Sequence, residues 1–185
     1  NTLNSVFFVN SNVGYAVGEY GTIIKTMDGG STWEIKPSGT TNKLNSVFFV
    51  ATNLGYVVGA GIILKTTNGG SSWISQNSGD VADMRSVYFT DANTGFISVY
   101  KNFEGATILK TNNGGVTWSK QVIEYQGGPI TSICFPDSNT GYIGGFVNGG
   151  GGCILKTVNG GAEWNSFGLG GDIFIYSIFF NDTNI

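Results

Sequence analysis

Three acidic residues, Glu104, Glu124 and Asp172, fall in irregular stretches of the sequence. Two carboxylates about 5 to 10 Å apart are what hydrolysis of a glycosidic bond requires. The same stretches carry exposed-type aromatic and polar residues suited to contact with a protein or a sugar: Tyr100, Lys101, Phe103, Tyr125, Phe146 and Asn148, joined near the start of the chain by Tyr20. Other chemistry is excluded by residue type. Histidine is absent, so a Ser-His-Asp triad, a Cys-His pair, a His-ligated zinc and a histidine pH switch cannot be built. Asp91-Ala-Asn93-Thr-Gly95 and Asp137-Ser-Asn139-Thr-Gly141 have the look of a calcium loop but lack the acid at its twelfth position, and they read as turns; no metal or cofactor is expected. Gly59-Ala-Gly61 joins two short strands and opens no helix, so it is not a dinucleotide fingerprint.

The whole chain bounds these options further. Its 185 residues, 41% hydrophobic, suffice for one core, and 30 glycines with 14% aromatics suit short strands and tight turns. A net charge of −3 and a single arginine, Arg85, leave no basic stripe for a phosphate backbone, so nucleic acid is not an expected partner. The longest apolar stretch, Ile173 to Phe180, is far short of the roughly 20 residues a spanning helix needs. Low lysine content and an Asn/Gly/Thr-rich surface point to an exported, secreted bacterial protein.

The elements that must position these residues come from an internal repeat. Trp33, Trp73, Trp118 and Trp164 are 40, 45 and 46 residues apart by subtraction, and an S-[VI]-x-F segment recurs with its aliphatic residue at Val6, Val47, Val87, Ile133 and Ile178. A period of about 40 to 50 residues is that of a four-stranded propeller blade. Each copy holds four short runs rich in β-branched and aromatic residues, here named A to D in order. Asn-x-Gly lies between A and B, and Asp28, Asn68, Asn113 or Asn159 followed by Gly-Gly lies between C and D, both turn signals. The fold class is therefore all-β: a β-propeller of four-stranded antiparallel blades, four blades plus one extra strand. The blades are expected over about 3–40, 44–80, 85–125 and 131–170, with the first strand of a fifth blade over 176–185. Residues missing from a closed ring are expected from a longer chain or a second subunit, since open strand edges are sticky.

The C to D segments read Thr26-Met-Asp28-Gly-Gly30-Ser-Thr-Trp33, Thr66-Thr-Asn68-Gly-Gly70-Ser-Ser-Trp73, Thr111-Asn-Asn113-Gly-Gly115-Val-Thr-Trp118 and Thr157-Val-Asn159-Gly-Gly161-Ala-Glu-Trp164. This resembles the Asp-box, or bacterial neuraminidase repeat, of β-propellers, and with the preceding G-[YF]-x-x-G strand the unit is most similar to the photosystem II stability/assembly factor type. Asn replaces Asp in three of the four boxes and Glu163 stands where Thr is usual, which favours a structural role for the box, with each Trp as the packing anchor of its blade. The resemblance implies about seven blades in a closed ring, a ligand face away from the boxes, and a protein partner. It also bears on enzymes. The sialidase site uses three arginines against one here, whereas xyloglucan hydrolases carry the same repeat in much longer chains.

Alternation along the meander puts the A–B and C–D turns on one rim and the variable B–C and D–A connections on the other. Variable loops on a rigid scaffold are where binding concentrates. The expectation is a non-catalytic binding or scaffold module for a protein or glycan, presenting Tyr20, Tyr100, Lys101, Phe103, Glu104, Glu124, Tyr125, Phe146 and Asn148. The alternative is a part of a glycoside hydrolase using Glu104, Glu124 and Asp172. Cys134 in strand A and Cys153 in strand C are separated by strand B, roughly 10 Å, and are expected as free buried thiols.

Overall fold

The computed structural model describes residues 1–77, 79, 82–100, 106–123, 127–147, 150–171 and 173–180. It contains four antiparallel four-stranded sheets, each with its strands side by side in chain order. Blade one comprises β1 Leu3–Phe8, β2 Gly14–Gly18, β3 Ile23–Thr26 and β4 Glu34–Lys36. Blade two comprises β5 Leu44–Phe49, β6 Gly55–Gly59, β7 Ile62–Thr66 and β8 Ile74–Gln76. Blade three comprises β9 Asp83–Phe89, β10 Gly95–Tyr100, β11 Ala106–Thr111 and β12 Ser119–Ile123. Blade four comprises β13 Gly127–Cys134, β14 Gly141–Val147, β15 Gly152–Thr157 and β16 Asn165–Gly170.

The turns hold the way their residue types demand. In each box the Asp28 or Asn side chain accepts a main-chain N–H four residues on, from Thr32 (2.8 Å), Ser72, Thr117 and Glu163 (3.0 Å each), so the amide replaces the carboxylate without loss of the turn. Asp28 also accepts the Thr32 hydroxyl, and Asn68 and Asn113 reverse that bond by donating to Ser72 and Thr117. Between A and B, the Asn of Asn-x-Gly acts through its carbonyl rather than its side chain: Asn12, Asn53, Asn93 and Asn139 accept the N–H of Gly29, Gly69, Gly114 and Gly160. The side chains closing those turns are Asn10, Asp91 and Asp137, each accepting two main-chain N–H groups. Those bonds lower the pKa of Asp91 and Asp137 and spend both carboxylates on the turn.

One joint is used between every pair of successive blades. The last Phe of strand A stacks on the B-strand aromatic of the blade before it: Phe49 on Tyr15 (4.0 Å), Phe89 on Tyr56 (3.8 Å) and Phe135 on Phe96 (4.3 Å). The blade's own Trp meets that Phe edge-on near 6 Å, which makes the box Trp the anchor between its turn and the core. Tyr15 Oη and Lys25 Nζ both donate to Gly69 O, and Tyr56 Oη and Lys65 Nζ both donate to Gly114 O. At the next joint Phe96 lacks the hydroxyl, Lys110 alone reaches Gly160 O, and Tyr88 Oη supplies a second bond to Phe135 O. Along the inner edge Ser5, Ser46 and Ser86 accept the N–H of Val47, Val87 and Ile133.

Residues 176–180, expected as strand A of a fifth blade, have no strand pairing, because no second strand lies beside them among the described residues. They nonetheless take strand A's place on blade four. Ile178 N donates to Ser132 Oγ (3.1 Å) and Phe180 stacks on Tyr142 (4.4 Å), repeating the joint above. The expected residues 181–185 lie outside the described residues. At the other end, blade one has its joint face open: Val6 is 60% exposed where Val47 and Val87 are 4% and 3%. Cys134 and Cys153 are buried thiols.

Candidate functional site: the inner edge on the loop rim

Each strand A is interrupted by a β-bulge near its start. The pairing registers skip one residue between Leu3 and Ser5, between Leu44 and Ser46, between Met84 and Ser86, and between Ile130 and Ser132. The bulged residues are Asn4, Asn45, Arg85 and Thr131, and Tyr176 holds the corresponding place before Ser177. A bulge turns its side chain out of the regular alternation. Here the bulges bring residues from successive blades to one place: Asn4, Asn45, Arg85, Thr131 and Tyr176 line a cavity of about 230 Å3 together with Lys43.

Three of these side chains lace the blades together. Asn4 Nδ2 donates to Leu44 O (2.8 Å), Asn45 Nδ2 to Met84 O (2.8 Å), and Thr131 Oγ1 to Ile175 O (2.7 Å). Each acceptor is the carbonyl just before the next bulged residue. Arg85 departs from this series. Its Nη2 pairs with Asp83 (2.8 Å), its guanidinium lies 4.9 Å from the Tyr100 ring centre, and its buried Nε has no hydrogen-bond partner among the described residues. Asp83 also accepts from Asn45 Nδ2 (2.6 Å), and Lys43 pairs with Glu19 (2.9 Å). Both described cations at the cavity therefore carry their own carboxylate.

The sequence-expected residues fall as follows. Tyr20 sits in a 3-10 turn over Glu19–Gly21, one residue longer than the Gly59 to Ile63 connection of blade two. Its φ of 56° is positive, a conformation costing a non-glycine residue about 1 kcal/mol. The ring is 74% exposed at the lip of a second cleft of about 980 Å3, with Ile35, Pro37 and Thr40 on its walls. Glu19, the residue before Tyr20, pairs with Lys43 of the inner cavity. Tyr100 and Phe146 were expected in loops and are instead in strands, because their hairpins extend further: Tyr100 pairs with Asp83 and Phe146 with Gly152. Likewise the variable D–A connections on either side of blade four are shortened by β12, β13 and β16. Tyr100 serves the site as the platform under Arg85. Phe146 packs edge-on against Phe174 (5.3 Å) and Tyr176 (5.5 Å). Lys101, Phe103, Glu104, Glu124, Tyr125 and Asn148, and the carboxylate Asp172, lie outside the described residues. Among the described residues no cluster of three or more metal-ligating side chains occurs, and no helix is long and apolar enough to cross a membrane.

The bulged residues were missed in the sequence because strand A was read as plain alternation. The signal was present. The position before the repeated Ser is Asn, Asn, Arg and Thr in successive copies, polar at a place where a strand facing a core should hold an apolar residue.

Comparison with known proteins agrees with this architecture. The family model described as photosynthesis system II assembly factor YCF48 matches residues 1–78, the first two blades. No curated protein matches the chain. Among solved structures, a YCF48 bound to a D1 peptide is similar at 17% identity and a TM-score of 0.58, covering 89% of this chain and 82% of that one. YCF48 from Cyanidioschyzon merolae is similar at 22% identity and a TM-score of 0.72, covering 97% of this chain and 61% of that one. An ancestral GH74 enzyme is similar at 20% identity and a TM-score of 0.68, but this chain spans only 26% of its length. Four repeated boxes, four blades in one order and the match over the first two make this chain a β-propeller of the Asp-box type, close to the photosystem II assembly factor kind.

Proposed function

We propose that this chain is a non-catalytic binding module that receives an extended segment of a partner protein on its loop rim, at the inner edge of the blades. The observation that carries this reading is the set of four strand-A bulges, which deliver Asn4, Asn45, Arg85 and Thr131 to one cavity beside Tyr100 and Tyr176. Such a site offers a guanidinium and polar side chains between aromatic flanks, a setting suited to an extended peptide. A similar fold carrying a D1 peptide supports a protein partner over a glycan. The glycoside hydrolase alternative has less support. It rests on Glu104, Glu124 and Asp172, which lie outside the described residues, while the described carboxylates beside the cavity, Glu19 and Asp83, are each held in an ion pair.

The test is selection of a phage-displayed library of 12-residue peptides on the chain, beside a hydrolysis assay on xyloglucan. Peptides enriched on the wild type and lost from an Asn45→Ala, Tyr176→Ala double variant support the reading. Release of reducing sugar from xyloglucan, or a library that shows no enrichment, contradicts it.

A further inference from the structure

We infer that Asp83 sets the charge preference of the inner cavity, making it a receptor for an uncharged stretch of peptide whose backbone carbonyl is taken by Arg85. This rests on the protein-binding reading above and goes further by naming the residue that decides which segment is accepted.

The argument starts from the lacing series. At the bulged position of blades one, two and four, a side-chain donor is met by a main-chain carbonyl of the next inner strand. At blade three the donor is a guanidinium that turns back to Asp83 and Tyr100 and whose Nε–H has no partner among the described residues. The Arg85 side chain is 39% exposed and its guanidinium carries more donors than Asp83 takes up, so the site favours a ligand that brings an oxygen. An anion would be the obvious candidate for an arginine, yet the charge here is already neutralised. Asp83 holds Nη2 at 2.8 Å, and the second cation at the cavity, Lys43, is held by Glu19 at 2.9 Å. With two cations and two carboxylates in place the described residues of the site carry no net charge, and an incoming carboxylate meets Asp83 as a like charge close by. A neutral carbonyl meets no such repulsion, and it is the acceptor used at the three equivalent positions. Discrimination therefore comes from a repulsive element as much as from the attractive one. Asn45 ties the device to the scaffold, since its amide holds both the Asp83 carboxylate and Met84 O.

The experiment compares peptide pools selected from the 12-residue library on the wild type, Asp83→Asn and Arg85→Gln, with thermal melts to confirm that each variant folds. The wild-type pool is expected to have a mean net charge near zero, and its best peptide to keep its Kd within about twofold between 50 and 500 mM NaCl, because no net charge is neutralised. Asp83→Asn is expected to turn the pool acidic and to make binding at least tenfold weaker at the higher salt. Arg85→Gln is expected to weaken the wild-type peptide at least tenfold. An acidic wild-type pool, identical wild-type and Asp83→Asn pools, or an Arg85→Gln variant within twofold of wild type each overturns the assignment while leaving protein binding intact. A library that is not enriched on the wild type defeats the protein-binding reading itself and this inference with it.

Discussion

Asp28 shows how much a single box residue is asked to do. Hydrogen bonds from the Thr32 hydroxyl and main chain, and from Thr26, bring its pKa down to about 2. A pKa lower in the folded than in the unfolded chain means that the unfolded state binds more protons, so the contribution is present above pH ~4 and is lost as pH falls toward 2. Asp91 and Asp137 shift in the same direction. Thermal melts between pH 7 and 2 should therefore be flat down to about pH 4.5 and fall below it, and Asp28→Asn should flatten that fall. The same variant should cost little at pH 7, because Asn68, Asn113 and Asn159 already close the same turn. Tyr56 is the counterpart at the joints. Burial pushes its pKa up to about 12 and keeps the phenol a donor to Gly114 O. Tyr56→Phe should destabilise by about 1 kcal/mol, measured by urea unfolding, since Lys65 still reaches that carbonyl.

Among elements, the segment 173–180 depends on blade four for its place. A Cβ added at Gly144 would lie 2.5 Å from Ile175 Cγ2 and 2.9 Å from Ile178 Cδ1, so the bare glycine is the hollow into which both isoleucines pack. Gly144→Val should release this segment and leave blades one to three intact. Limited proteolysis should then cleave between 173 and 180 at least tenfold faster, while the amide protection of β5 to β11 is unchanged. The elements themselves were plain in the sequence, because Trp spacing, Asn-x-Gly and Asn-Gly-Gly each mark a turn by a residue type with few alternatives. The site was less so. A bulge leaves no turn residue behind it, and whether Tyr100 and Phe146 lie in loop or strand depends on how far a hairpin pairs, which backbone hydrogen bonds decide and side-chain type does not.

At the scale of the molecule, each blade touches its neighbours through one repeated joint, so stability is set by joints more than by blades. Blade two has a joint on both faces, whereas the face of blade one that bears Val6 is uncovered. A stack so rigid at its joints can carry a binding rim whose side chains are fixed by lacing between blades, which lowers the entropic cost of holding a ligand. The most direct test of that claim is the hydrogen-exchange footprint of the best peptide selected on the wild-type chain. Protection concentrated at the starts of β1, β5, β9 and β13 and around Glu19–Gly21 is the result expected. Protection at the box turns around Asp28, Asn68, Asn113 and Asn159, with those strand starts unchanged, would contradict it.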